Sequence, residues 1–169
     1  MLNLINNLKP FFKDCYRRIS VREYSRIIKV SPPTASKILF SFYKEGLLVM
    51  EKDRNYIFFY ANKENKDFID LSRAYWRTQL NELITYFEKN IVNPAVVLFG
   101  SLSKAEVTKN SDVDITIFGN KKELNLKNFE SKLNRKIQVL WFNSINDISN
   151  KDLANNIMNG YILIGRLKL

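Results

Sequence analysis

Two carboxylates head an apolar strand in this chain. In "VVLFGSLSKAEVTKNSDVDITIF", Val96 to Phe118, an apolar run ends in Gly100-Ser101 and ten residues intervene. Asp112 and Asp114 then fall one residue apart at the start of a second apolar run. Residues i and i+2 of a strand point to one face, so Asp112 and Asp114 share a side and Val113, Ile115 and Ile117 share the other. Carboxylates placed side by side repel each other and are costly to bury unless a cation lies between them. Mg²⁺ takes one or two carboxylates together with phosphate oxygens of a bound substrate. A strand that leaves through glycine into a short helix, here "SLSKAEV", aims free N–H groups outward, with the Ser101 hydroxyl as a further donor. The segment therefore reads as a place for a divalent metal and a triphosphate. The plainer alternative is an ordinary Gly-Ser turn and a surface Asp pair on an edge strand.

Composition narrows the chemistry. The chain has no histidine, which removes Ser-His-Asp and Cys-His catalysis and His-ligated metals. Its one cysteine, Cys15, excludes an intramolecular disulfide and a Cys-based zinc site and fits a reducing compartment. Catalysis is left to carboxylates, lysines, hydroxyls or a hard metal. "MLNLINNLKPFF" lacks the order of a signal peptide, and no apolar run approaches the roughly 20 residues of a membrane span. The expectation is a soluble, cytoplasmic protein with no membrane partner.

Charge is uneven. The first 66 residues hold 13 basic and 6 acidic side chains, +7 of the chain's net +10. Such a balance favours a polyanionic partner, most simply nucleic acid, over a merely Lys-rich soluble surface. Leu4, Ile5, Leu8, Phe11, Phe12 and Cys15 recur at helical spacing, with Pro10 a candidate kink. Ser20 reads as the cap of "VREYSRIIKV", with Glu23 at the capping-box position. Ser31 and Pro32 open a further helix with Ala35, Ile38, Leu39 and Phe42 on its apolar face and Gly46 as its stop. "LLVMEKDRNYIFFYAN" reads as a hairpin turning at Asp53–Asn55. This order, in "SPPTASKILFSFYKEGLLVMEKDRNYIFFYAN", resembles the small winged helix-turn-helix regulators of bacteria and archaea. The resemblance implies DNA binding, with Thr34, Ser36, Lys37 and Ser41 facing base edges, Lys52 and Arg54 at phosphate or minor groove, and a homodimer on two-fold sites. A module that only dimerises or docks a protein is the competing reading.

From residue 66 to 90, Phe68, Leu71, Tyr75, Leu80, Leu83, Ile84 and Phe87 keep helical spacing with no Gly or Pro. We expect one connecting helix over 65–93, between a winged helix-turn-helix domain over 1–64 and a second domain over 94–169.

"FGSLSKAEVTKNSDVDITIF" resembles the polymerase beta nucleotidyltransferase superfamily, and more closely its minimal, antitoxin-type members, whose motif is Gly-Ser, ten residues, then Asp-x-Asp. The late "IMNGYILIGR" resembles the strand that closes those domains. The resemblance implies an α+β fold with a mixed sheet in the C-terminal domain. It implies two Mg²⁺ ions on Asp112, Asp114 and a third acid, NTP as substrate, and phosphates held by Gly100, Ser101 and Lys104. It also implies AMP transfer from ATP to a protein acceptor such as a cognate toxin. The third acid is expected near the centre of "KIQVLWF", where Gln138 stands. Glutamine orients a hydroxyl but is no general base and ligates magnesium weakly, and Glu130 and Asp147 lie off the strand. The alternative is a DNA-binding regulator whose transferase domain is catalytically weak or inactive. A transferase acting on a small hydroxylated molecule is a third reading, for which the sequence offers no acceptor pocket.

Overall fold

The computed structural model describes residues 2–167, so the outermost positions of the two expected domains, 1, 168 and 169, lie outside it. Two compact units divide the chain. One holds the chain up to Ser72 together with Ala105–Lys109, the other Arg73–Lys104 together with the chain from Asn110 on.

In the first unit, α1 (Leu2–Lys13) buries Leu8, Phe11 and Phe12, with Pro10 inside the helix, and Cys15 is buried just beyond it. The Ser20 hydroxyl accepts from Glu23 N at 3.3 Å and opens α2 (Val21–Ile28). The Glu23 carboxylate pairs with Arg17 at 2.5 Å, where a capping box would have turned it back to the helix start. Ser31 caps α3 (Pro32–Lys44), which buries Ala35, Leu39 and Phe42, and Gly46 ends it at φ +72°. β2 (Leu48–Asp53) and β3 (Tyr56–Ala61) pair antiparallel around Arg54–Asn55, with Arg54 at φ 52°. A two-residue strand, β1 (Ile19–Ser20), adds to β3, giving the sheet order β1-β3-β2. The insert 105–109 belongs here because Val107 O accepts from Cys15 N at 2.7 Å.

The segment expected as one helix over 65–93 is two, α4 (Lys66–Gln79) and α5 (Asn81–Asn90). They break at Leu80, whose backbone (φ −89°, ψ 2°) sits in the bridge region rather than the helical one. Leu80 itself is fully buried, so the apolar spacing runs through the break and hides it from the sequence. Arg73 Nε donates to Ser103 O at 2.8 Å and Arg77 Nη1 to Leu163 O at 2.8 Å, which ties the second half of α4 to the second unit.

That unit is α+β with a mixed four-stranded sheet of order β6-β5-β4-β7: β4 (Ala95–Phe99), β5 (Val113–Phe118), β6 (Ile137–Phe142) and β7 (Tyr161–Ile164). β4 pairs antiparallel with β5 and β7, and β5 pairs parallel with β6 through a crossover holding α7 (Lys127–Leu133). β4 is buried at every residue, as a central strand covered on both faces must be. One face, with Ala95, Val97, Phe99 and Phe118, packs with Ile157 of α8 (Lys151–Met158).

Candidate functional site

The Gly100 turn and the Asp pair meet at the end of β4. Phe99 lies opposite Asp114 in the antiparallel ladder, so Gly100 leaves the sheet directly over the Asp114 side chain. Gly100 has φ +69°, and a Cβ built on it would land on Asp114 Oδ2, with Cγ at 3.2 Å. Only glycine permits this approach. Ser103 of α6 (Ser101–Lys104), itself buried, closes the turn by donating to Gly100 O at 2.9 Å. Asp112 stands one residue before β5, half-buried like Asp114. The Asp114 carboxyl is held above the ordinary carboxylate range, first by burial and then by the negative charge of Asp112. Two carboxylates are thus kept in mutual repulsion beneath a turn that glycine alone can make.

A family model described as polymerase beta, nucleotidyltransferase, matches residues 81–168, just over half of the 169. The chain belongs to the polymerase beta nucleotidyltransferase family. Nucleotidyl transfer is the chemistry this membership assigns to it at the coarse level. The match begins at α5, so that helix is part of the family domain. A search of curated proteins finds no match to the chain.

Beside the Asp pair of this nucleotidyltransferase domain, β6 places Gln138 in register with Asp114 across the parallel ladder. Its Nε2 donates to Asp112 Oδ2 at 2.8 Å. The acids nearest in sequence are engaged elsewhere. Glu130 Oε1 accepts from Ile137 N at 2.9 Å and fixes the start of β6. Asp147 Oδ2 accepts from Asn143 N at 3.2 Å and Ser144 N at 2.9 Å, capping a short 3₁₀ turn. Among the described residues no three carboxylate, cysteine or histidine side chains group to hold a metal. Asp112 and Asp114, with oxygens of a bound triphosphate, fit one Mg²⁺. Gln138 stands where a third carboxylate was expected.

Lys104, expected at the nucleotide, donates its Nζ to Asn156 Oδ1 of α8 at 2.6 Å. Sequence reasoning missed the role of Arg135, whose guanidinium lies 5.1 Å over the Trp76 ring and donates to Ser111 O. It clamps the residue before Asp112, and with Val113 N bonded to Lys136 O at 2.8 Å it positions the approach to the pair. Lys136 itself is exposed.

In the first unit, Lys37, Lys52 and Arg54 are exposed and Ser36 is half-buried. The Thr34 hydroxyl is bonded to Ser31 Oγ at 2.9 Å, and Ser41 Oγ to Glu45 Oε1 at 3.0 Å. Arg22, Arg26 and Lys29 form a second basic feature that the sequence reading passed over. All three are exposed, and their spacing puts them on one face of α2 and its C-cap. Three carboxylates of this unit pair with other arginines: Glu23 with Arg17, and Glu51 and Asp53 with Arg18 at 2.8 and 3.6 Å. The spacing of four and three was visible in "VREYSRIIKV"; which acids would be occupied was not. No helix among the described residues is long and apolar enough to cross a membrane.

Proposed function

We propose that the chain is a magnesium-dependent nucleotidyltransferase that takes an NTP, ATP in the first instance, at Gly100, Ser101, Asp112 and Asp114. The observation that carries this reading is the contact a Gly100 Cβ would make with Asp114, because it joins the phosphate turn and the carboxylate pair in one place. A magnesium ion held by Asp112 and Asp114 would neutralise charge on the triphosphate. In the transfer, an acceptor hydroxyl forms a bond to the α-phosphorus and the bond to the β-phosphate oxygen breaks. Pyrophosphate leaves, and the hydroxyl proton passes to solvent or to a base supplied by the acceptor. The acceptor we favour is a protein, in antitoxin fashion a partner toxin.

The first unit supports a DNA-binding role beside it. Its element order, the three-residue link between α2 and α3, and the β1-β3-β2 sheet resemble a winged helix-turn-helix. In that reading Lys37 and its neighbours on α3 approach base edges. Arg22, Arg26, Lys29, Lys52 and Arg54 take phosphates, and a homodimer reads a two-fold site.

A second reading has its own observation in Gln138, a neutral amide bonded to Asp112 where a third acid would complete the site. Here the chain is a DNA-binding regulator whose transferase domain is slow or inactive. One experiment separates the two. The chain is incubated with Mg²⁺ and α-³²P-labelled NTPs, with itself and the product of the adjacent gene as protein acceptors. Label that Asp112→Ala abolishes supports transfer. No label from any of the four nucleotides, together with a shift of its own promoter DNA, sinks the transferase reading and leaves the regulator.

A further inference from the structure

We propose that the Asp112–Asp114 site takes one divalent cation with its triphosphate, and that Gln138 sets this number. The inference rests on the nucleotide-binding reading above and specifies how that site is loaded.

Three observations converge. The first is the direction of the Gln138 amide. Asp112 as a carboxylate only accepts hydrogen bonds, so the contact at 2.8 Å fixes the NH₂ toward it and the amide oxygen away. The donor, positive end of the amide thus occupies one oxygen of the very carboxylate that a second cation would have to share. The second is the number of protein ligands. Asp112 and Asp114 supply the two carboxylates that one dication takes beside phosphate oxygens. A further dication roughly 4 Å away, the spacing of two-metal sites, would need a protein ligand of its own, and the neutral Gln138 stands where it would come from. The third is the fate of the other acids. Glu130 is bonded to the Ile137 amide and Asp147 to the Asn143 and Ser144 amides, so neither is free to take that part. The cation that travels with a nucleotide keeps a full set of oxygens from two carboxylates, phosphates and water. The domain is built to load a triphosphate with a single metal ion. Gln138 is a positioning residue for Asp112 in this account.

The count is measured directly. The full chain is dialysed to equilibrium against Mn²⁺ with α,β-methylene-ATP, which cannot be cleaved between the α- and β-phosphates, and bound Mn²⁺ is read by electron paramagnetic resonance. The wild-type chain should bind one Mn²⁺ per molecule, with no spin–spin coupling. Gln138→Glu should bind two and show coupling between them; Gln138 is exposed, and a thermal melt checks that the variant folds. Two ions in the wild type overturn the proposal and leave nucleotide binding intact. A single ion in folded Gln138→Glu also overturns it, because the number would then be set elsewhere. No ion in the wild type, with Asp114→Ala indistinguishable from it, overturns both this inference and the nucleotide reading beneath it.

Discussion

Replacing Gly100 with alanine separates the cost of a backbone shape from the cost of losing the site. Gly100 and Gly46 have nearly the same left-handed backbone, φ +69° and +72°. An L-residue forced into that region costs about 1–2 kcal/mol. For a chain of this size each kcal/mol lowers Tm by about 2–4 °C, so the backbone alone predicts a loss of about 2–8 °C at either position. The surroundings differ. A Cβ on Gly46 meets Asn65 Nδ2 at 3.3 Å, the end of a polar side chain that can give way. A Cβ on Gly100 falls on the Asp114 carboxylate and must push it off its position next to Asp112. Losing the support that holds a metal ligand in place costs roughly 10–100-fold in metal affinity. Calorimetric melts should therefore show comparable losses for Gly46→Ala and Gly100→Ala. Titration with Mg²⁺ and ATP should leave Gly46→Ala like the wild type and weaken binding by Gly100→Ala by roughly 10–100-fold. A folded Gly100→Ala chain with undiminished affinity would refute the reasoning, because Asp114 would then not need the place that Gly100 leaves it.

Burial and Asp112 raise the Asp114 carboxyl above its ordinary 3.8, so the folded chain holds this proton more tightly than the unfolded one. Without metal, stability should fall as pH rises from 3.8 through the raised value, and Asp114→Asn should remove that dependence and raise the metal-free Tm at pH 7, as melts across pH will test. Metal binding needs the ionised form, so Mn²⁺ affinity should weaken as pH drops through the raised value; an affinity unchanged well below it counts against Asp114 as a ligand. On α2, the triple variant Arg22→Ala, Arg26→Ala, Lys29→Ala should lower DNA affinity and reduce the log–log salt slope by about 0.9 per lost phosphate contact, about 2.7 in all. An unchanged slope in a fluorescence-anisotropy titration would place the DNA on another face.

Local chemistry was readable from one dimension. The caps at Ser20 and Ser31, the Gly46 stop and the hairpin at Arg54–Asn55 each depend on residues within a few positions, and each formed. Where a side chain had a choice of partners, the contact it makes was not readable. Glu23 took Arg17 rather than its own helix start, and Lys104 took Asn156, 52 residues away. The helix over 65–93 broke at Leu80 without Gly or Pro to announce it.

The sequence by itself determined the Gly-Ser turn, the pair of carboxylates on one side of a strand and the neutral residue available near them. Period-two alternation and glycine's freedom are properties of neighbours in the chain. Only the tertiary structure decided that Gln138, 26 residues from Asp112, lies in register with Asp114 and donates to Asp112. Those facts follow from a parallel pairing of β5 with β6 across a crossover, whose register is set by burial of Val113, Ile115 and Ile137 in the core rather than by any local signal.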